Sequence, residues 1–173
     1  LVFGRGAEEW AFLRRHGVEV ELVPGVTSAV AVPGVAGIPL TFRNGSTSFA
    51  VVTGRRRSGS RQDWHRLASV DTLVVLMGVH QREDIARSLI AAGRSPEEPV
   101  AFVERGTTPQ QRIVRATLGQ VASGAVAVQP PAVWVVGPGV RLQPHLLPQA
   151  NRGGDVQCGP RLWDQAPLCP GVG

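Results

Sequence analysis

Apolar positions along this chain follow a helical spacing in some stretches and a strand spacing in others. From Ala7 to Arg15, Trp10, Leu13 and the alanines recur on one side of a helical turn, and Gly17 supplies a stop, which predicts a short helix. Val18-Glu19-Val20-Glu21-Leu22-Val23 then alternates strictly, as a half-buried strand does, and Pro24-Gly25 ends it. Thr27 or Ser28 is placed to cap a second helix running through Val30 and Val35 towards Gly37, with Pro33 as a kink inside it.

Ile38 to Gly45 has the character of an interdomain connection. Beyond it Ser48 to Thr53 predicts a strand, and Gly54 to Gln62 is a Gly/Ser/Arg loop too polar for a core. Leu73 to Leu76 is apolar without a break, which suits a strand covered on both faces. Gln81 to Ala92 predicts a helix, with Ile85, Leu89 and Ala92 at helical spacing and Gly93 behind it. Val100 to Val103 predicts a further strand, Ile113 to Leu118 an edge strand and Ala132 to Val136 the last strand. Strands alternating with helices predict an α/β layered fold. From Pro144 the periodicity ends and Pro, Gly and Gln accumulate, so residues 144–173 are expected to be a disordered or extraneous tail.

Composition narrows the chemistry. In 173 residues, 43% hydrophobic and 18% charged content favours a packed core over a disordered chain. The net charge is +5 and all 18 basic residues are Arg, which excludes Lys Schiff-base chemistry and a phosphate-loop Lys. A nucleic-acid partner is not expected from so modest a charge and only 5% aromatic residues. No apolar run approaches a bilayer-spanning length, and no leader pattern opens the chain at Leu1, so a soluble cytoplasmic protein is expected. Cys158 and Cys169 lie in the tail, and His16, His65, His80 and His145 have no ligand spacing, so no metal is expected. No nucleophile–base set is visible either. That suits a reaction in which a cofactor brings the electrophile and the protein aligns the partners, and it suits a binding module equally.

Three short strings interrupt this pattern at expected strand ends: Val23-Pro24-Gly25-Val26-Thr27-Ser28-Ala29, Thr72-Leu73-Val74-Val75-Leu76-Met77-Gly78-Val79, and Gly106-Thr107-Thr108-Pro109-Gln110-Gln111-Arg112. Ligands of open α/β sheets bind outside the carboxyl ends of strands. Taken one by one, the first is also an ordinary strand-to-helix turn, Met77 a core residue and Gly106 a tight-turn glycine.

Together and in this order, from Leu1 to about Leu142, the strings resemble the uroporphyrinogen-III C-methyltransferases of the tetrapyrrole methylase family. The resemblance implies an α/β tetrapyrrole-methylase fold and transfer of methyl groups from S-adenosylmethionine to uroporphyrinogen III, giving precorrin-2 for sirohaem and cobalamin synthesis. It also implies a homodimer and no metal. Thr27 and Ser28, Met77 and Gly106 align with residues that contact or border the cofactor. So does Val2, within Leu1-Val2-Phe3-Gly4-Arg5-Gly6-Ala7-Glu8-Glu9. Arg43 and Arg55 fall on the expected tetrapyrrole side, where an Arg-rich rim would meet carboxylate arms, although a solvated loop explains Arg55-Arg56-Arg57 as well. The family usually shows His where Phe42 and Arg55 stand, which leaves another precorrin methylase open. The matching segment begins just after the family's Gly-Gly-Asp-Pro turn. The chain is therefore expected to be the C-terminal part of such an enzyme, inactive alone, or else a non-catalytic remnant of the same fold. The expected division is 1–45 for the end of an N-terminal domain, 46–143 for the C-terminal domain and 144–173 for the tail.

Overall fold

The computed structural model describes residues 1–55 and 62–146. The chain starts with α1 (Gly6–Arg15), a polar stretch and α2 (Ser28–Val35). Strand β1 (Phe49–Thr53), helix α3 (Trp64–Leu67), β2 (Thr72–Leu76) and α4 (Arg82–Ala91) follow. The hairpin β3 (Pro99–Glu104) and β4 (Arg112–Thr117) leads into α5 (Leu118–Ala122) and β5 (Ala132–Val136). A 3-10 turn at Pro138–Leu142 and α6 (Gln143–Leu146) close the described chain. The fold is α/β.

The strands form one mixed sheet in the order β1-β2-β5-β3-β4. Strands β1 and β2 run parallel, while β5 is antiparallel to both of its neighbours, β2 and β3, and β4 is antiparallel to β3. The continuous apolar runs belong to the three inner strands, whose side chains are buried on both faces. On one face Leu73, Val75, Phe102 and Trp134 pack against Ile85 and Leu89 of α4 and Val121 of α5. Phe102 and Trp134 stack with ring centroids 5.0 Å apart. On the other face Val74, Ala101, Val103 and Val135 pack against Ala29 and Val32 of α2 and against Ile38 and Leu40. Burying one such side chain contributes about 1.5–3 kcal/mol relative to leaving it in water.

The Ile38–Gly45 stretch is thus packed against the sheet over its first half rather than lying free between two bodies. Its end is a tight turn in which Phe42 and Ser46 form a β-bridge. Ser46 Oγ donates to the Leu40 carbonyl at 2.9 Å and lies 3.0 Å from Thr72 Oγ1. Next to it, Asp71 Oδ2 accepts from the backbone N–H of Thr47 (2.8 Å) and Ser48 (2.9 Å) and from both hydroxyls. At the same end of the sheet, the buried guanidinium of Arg94 pairs with Glu98 and donates to the carbonyls of Val70 (2.7 Å) and Asp71 (3.2 Å).

The strand expected at Val18–Val23 does not form. Residues 18–27 belong to no strand, and Val18, Leu22, Val23 and Val26 are exposed, Val23 to 80%. Alternation gives a strand two faces, but a strand also needs a ladder partner. Among the described residues no strand lies beside this one. Helix α1 forms as expected, although none of its residues is buried. The edge strand stops at Thr117, one residue early, because Thr117 caps α5. Its Oγ1 accepts from Gln120 N–H at 3.2 Å, and Gln120 Oε1 accepts from Thr117 N–H at 2.9 Å, a capping box. Of the expected tail, Pro144 to Leu146 is helical, within α6, and residues 147–173 lie outside the described residues, as does 56–61 of the Gly/Ser/Arg loop. No helix among the described residues is long and apolar enough to cross a membrane.

Candidate functional site

Antiparallel placement of β5 brings its N-terminal end to the same sheet edge as the C-terminal ends of β1, β2 and β3. A cleft of about 1130 Å³ opens there. Its floor is Leu76, Met77, Val103, Ala132 and Val133. One lip is the turn that leaves β3, with Arg105, Gly106, Thr108 and Gln110, and the other is Pro130-Pro131 on the approach to β5. Ser28 and Val32 of α2 face it, and Val2, Phe3, Arg55 and His80 complete the wall.

Three of the lining residues hold backbone conformations that side chains normally avoid. Phe3, Met77 and Arg105 have φ of 52°, 55° and 46°. The left-handed region costs a non-glycine residue about 1 kcal/mol or more, and such residues concentrate at ligand sites. Met77 illustrates the use of it. The chain turns sharply as β2 ends, and the Met77 side chain, 48% exposed, stays in the cleft instead of joining the core below.

Val2, Ser28, Met77 and Gly106, far apart in sequence, meet on this one surface, and Arg55 joins them. Thr27 does not line the cleft. Its hydroxyl caps α2, accepting from Ala29 N–H at 3.3 Å, and so orients the first turn that presents Ser28. Arg43 is exposed in the Phe42–Ser46 turn and does not line the cleft. Gly106 has a packing role that the sequence did not disclose. A Cβ there would come within 2.7 Å of Val32 Cγ2 and would also run into Cγ1, so the missing side chain lets α2 lie against the β3 turn.

The Gly106–Arg112 string is held mainly by its own side chains. Gln111 Oε1 accepts from Thr107 N–H at 2.9 Å, and Thr108 Oγ1 donates to the Arg105 carbonyl at 2.8 Å. Arg112 grips Glu104 with two parallel bonds, Nε to Oε2 at 2.8 Å and Nη2 to Oε1 at 2.7 Å. Arg112 is the main reason the Glu104 carboxyl sits below the usual carboxylate range. Burial pushes it the other way, and the N–H of Gln129 supports the charged form. The formal charges on the cleft lining are the guanidinium groups of Arg55 and Arg105, and no carboxylate lines it among the described residues.

Pro130, Pro131, Arg105, His80 and Phe3 were not foreseen as lining residues. The Pro-Pro pair before an apolar run was the one available signal. Nothing local marks a left-handed Arg or Phe.

The family model for tetrapyrrole (corrin/porphyrin) methylases matches residues 1–122. The chain belongs to the tetrapyrrole methylase family. A uroporphyrinogen-III C-methyltransferase of Methanocaldococcus jannaschii is 44% identical over 142 residues, covering 79% of this chain and 59% of that protein. A siroheme synthase of Tolumonas auensis is 43% identical over 139 residues, covering 79% of this chain and 30% of that protein. Among solved structures, a uroporphyrin-III C-methyl transferase from Thermus thermophilus complexed with S-adenyl homocysteine superposes with a TM-score of 0.76 at 52% identity. It covers 82% of this chain and 60% of that one. The chain thus spans about three-fifths of the length of the methyltransferases it matches.

Proposed function

We propose that the cleft is a cofactor site for S-adenosylmethionine and that the chain is part of an enzyme methylating uroporphyrinogen III to precorrin-2, in sirohaem and cobalamin synthesis. The observation that carries the reading is the convergence of Val2, Ser28, Met77 and Gly106 on one cleft at the sheet edge. When bound, the cofactor supplies an electrophilic methyl group on a sulfonium. The residues described here hold and orient. The apolar floor from Leu76 to Val133 excludes water, and Ser28 at the capped start of α2 offers a hydroxyl and a free backbone N–H to a polar end of the ligand. Arg55 and Arg105 suit the carboxylate arms of a tetrapyrrole, because a guanidinium binds carboxylates bidentately. Arg43, which does not line the cleft, has no part in this reading.

The reading includes a division at 1–45 and 46–143, supported by the location of every strand among the described residues between Phe49 and Val136. It also includes a homodimer, supported by apolar side chains left uncovered at Phe12, Leu22, Val23 and Val26. The reading also takes a cytoplasmic location, for which family membership is the support.

The test is a calorimetric titration of the chain with S-adenosylhomocysteine. Saturable binding that Ser28→Trp abolishes and Arg87→Ala leaves intact is expected. Equal affinity in Ser28→Trp would remove the cleft from the cofactor. Incubation with S-adenosylmethionine and uroporphyrinogen III, followed for precorrin-2 absorbance, asks separately whether this part of the protein turns over.

A further inference from the structure

We infer that Glu104 is a positioning residue that ties the two lips of the cleft together; the inference rests on reading the cleft as the cofactor site. Glu104 is the last residue of β3 and is 6% exposed. Its Oε1 accepts from Gln129 N–H at 2.7 Å, and the same carboxylate takes the bidentate fork of Arg112. One residue later, Arg105 N–H donates to the Pro131 carbonyl at 2.9 Å. The lip at Arg105–Gln110 and the lip at Pro130-Pro131 are therefore joined by two bonds from consecutive residues, one to the Glu104 side chain and one from the Arg105 backbone N–H.

The division of labour follows from exposure. Arg112 has 56% of its side chain exposed, and an ion pair with so exposed a partner adds little to stability. What the fork does is fix the plane of the carboxylate, because a guanidinium meets both oxygens at once. A hairpin end would need no more than that pair, since Glu104 and Arg112 already face each other across the ladder. The third bond reaches outside the sheet. Gln129 precedes β5 and is exposed, so its N–H is oriented by Glu104 and carries Pro130-Pro131 with it. Turn and approach then present Arg105, Gly106 and the proline pair to the cleft in one fixed relation.

The test uses the 173-residue chain in four forms: unmodified, Glu104→Ala, Glu104→Gln, and Val121→Ala as a destabilised control whose change lies in the core under α5, at a residue that does not line the cleft. Two readouts are taken, exchange of the Arg105 amide (corrected for its altered neighbour) and affinity for S-adenosylhomocysteine well below the melting temperature. In Glu104→Ala the Arg105 amide, which bonds Pro131 and not Glu104, should exchange about tenfold faster, and affinity should weaken about tenfold, the scale of one lost charge-assisted bond. Glu104→Gln keeps an acceptor for Gln129 and should fall between, and it carries the comparison if the alanine variant does not fold. Val121→Ala should lower the melting temperature and move neither readout. Unchanged Arg105 exchange in both Glu104 variants, or an equal loss of affinity in Val121→Ala, overturns the inference. If the unmodified chain binds no S-adenosylhomocysteine, the cofactor reading fails while the exchange readout still decides whether Glu104 ties the lips.

Discussion

Val32 of α2 occupies the space that a side chain on Gly106 would need. This contact docks α2 on the β3 turn, and with it the Thr27 cap and Ser28. Gly106→Ala should therefore lower stability by about 1–3 kcal/mol through overpacking, whether or not ligand is present. Val32→Ala in the same chain should recover most of that loss, a coupling that denaturant melts of the two single variants and the double variant measure. If the double variant is as unstable as the sum of the singles, the glycine is there for another reason.

Met77 offers the opposite separation. Met77→Gly relieves a left-handed backbone worth about 1 kcal/mol, which offsets the greater flexibility of glycine in the unfolded chain. Stability should hold, while affinity for S-adenosylhomocysteine falls because a half-exposed side chain on the cleft floor is lost. A melting temperature and a titration on the same sample check both halves.

Arg94 is a costly polar side chain to remove. It satisfies Glu98 and the carbonyls of Val70 and Asp71 from a buried position. Arg94→Met should cost about 3 kcal/mol, since it strands a part-buried carboxylate and two carbonyls. Glu98→Gln in the same background should restore part of the loss in urea melts.

Asp71 sets an acid limit. The N–H of Thr47 above all, then the hydroxyl and N–H of Ser48, hold its carboxyl below the usual range. A carboxyl depressed in the folded state contributes stability above its unfolded value, about pH 4, and loses that contribution as pH falls through the folded value. Asp71→Asn should be less stable at neutral pH and show a flatter decline as pH falls below about 4. Parallel curves for the two proteins over that interval would exclude Asp71 as a source of acid sensitivity.

Much of this architecture could be read from the sequence because the inner strands are buried on both faces. Their unbroken apolar runs at Leu73–Leu76, Val100–Val103 and Ala132–Val136 leave no competing local choice. Val18–Val23 shows the limit of that signal, since its alternation is just as regular and yields exposed, unpaired chain. Pairing is a property of what lies alongside, which no local pattern carries. At the site, Ser28, Met77 and Gly106 came from motif order and share a cleft. Thr27 carries two readings in the sequence, helix cap and ligand contact, and in the structure its hydroxyl caps α2. Arg105 carries no such signal, because a left-handed backbone at Arg is imposed by the turn around it and leaves no mark in the residue itself.

The sheet also has a timetable. Its middle strand, β5, is the last of the described strands to leave a ribosome, and β2 and β3 reach each other only through it. Until Ala132–Val136 emerges, the parallel pair β1–β2 and the hairpin β3–β4 each present an open inner edge of unpaired backbone groups. A nascent chain is therefore most vulnerable once β1 to β4 have emerged and the strand that joins them has not. The cleft is completed by the same event, because its Pro130–Val133 side arrives with the strand that closes the sheet.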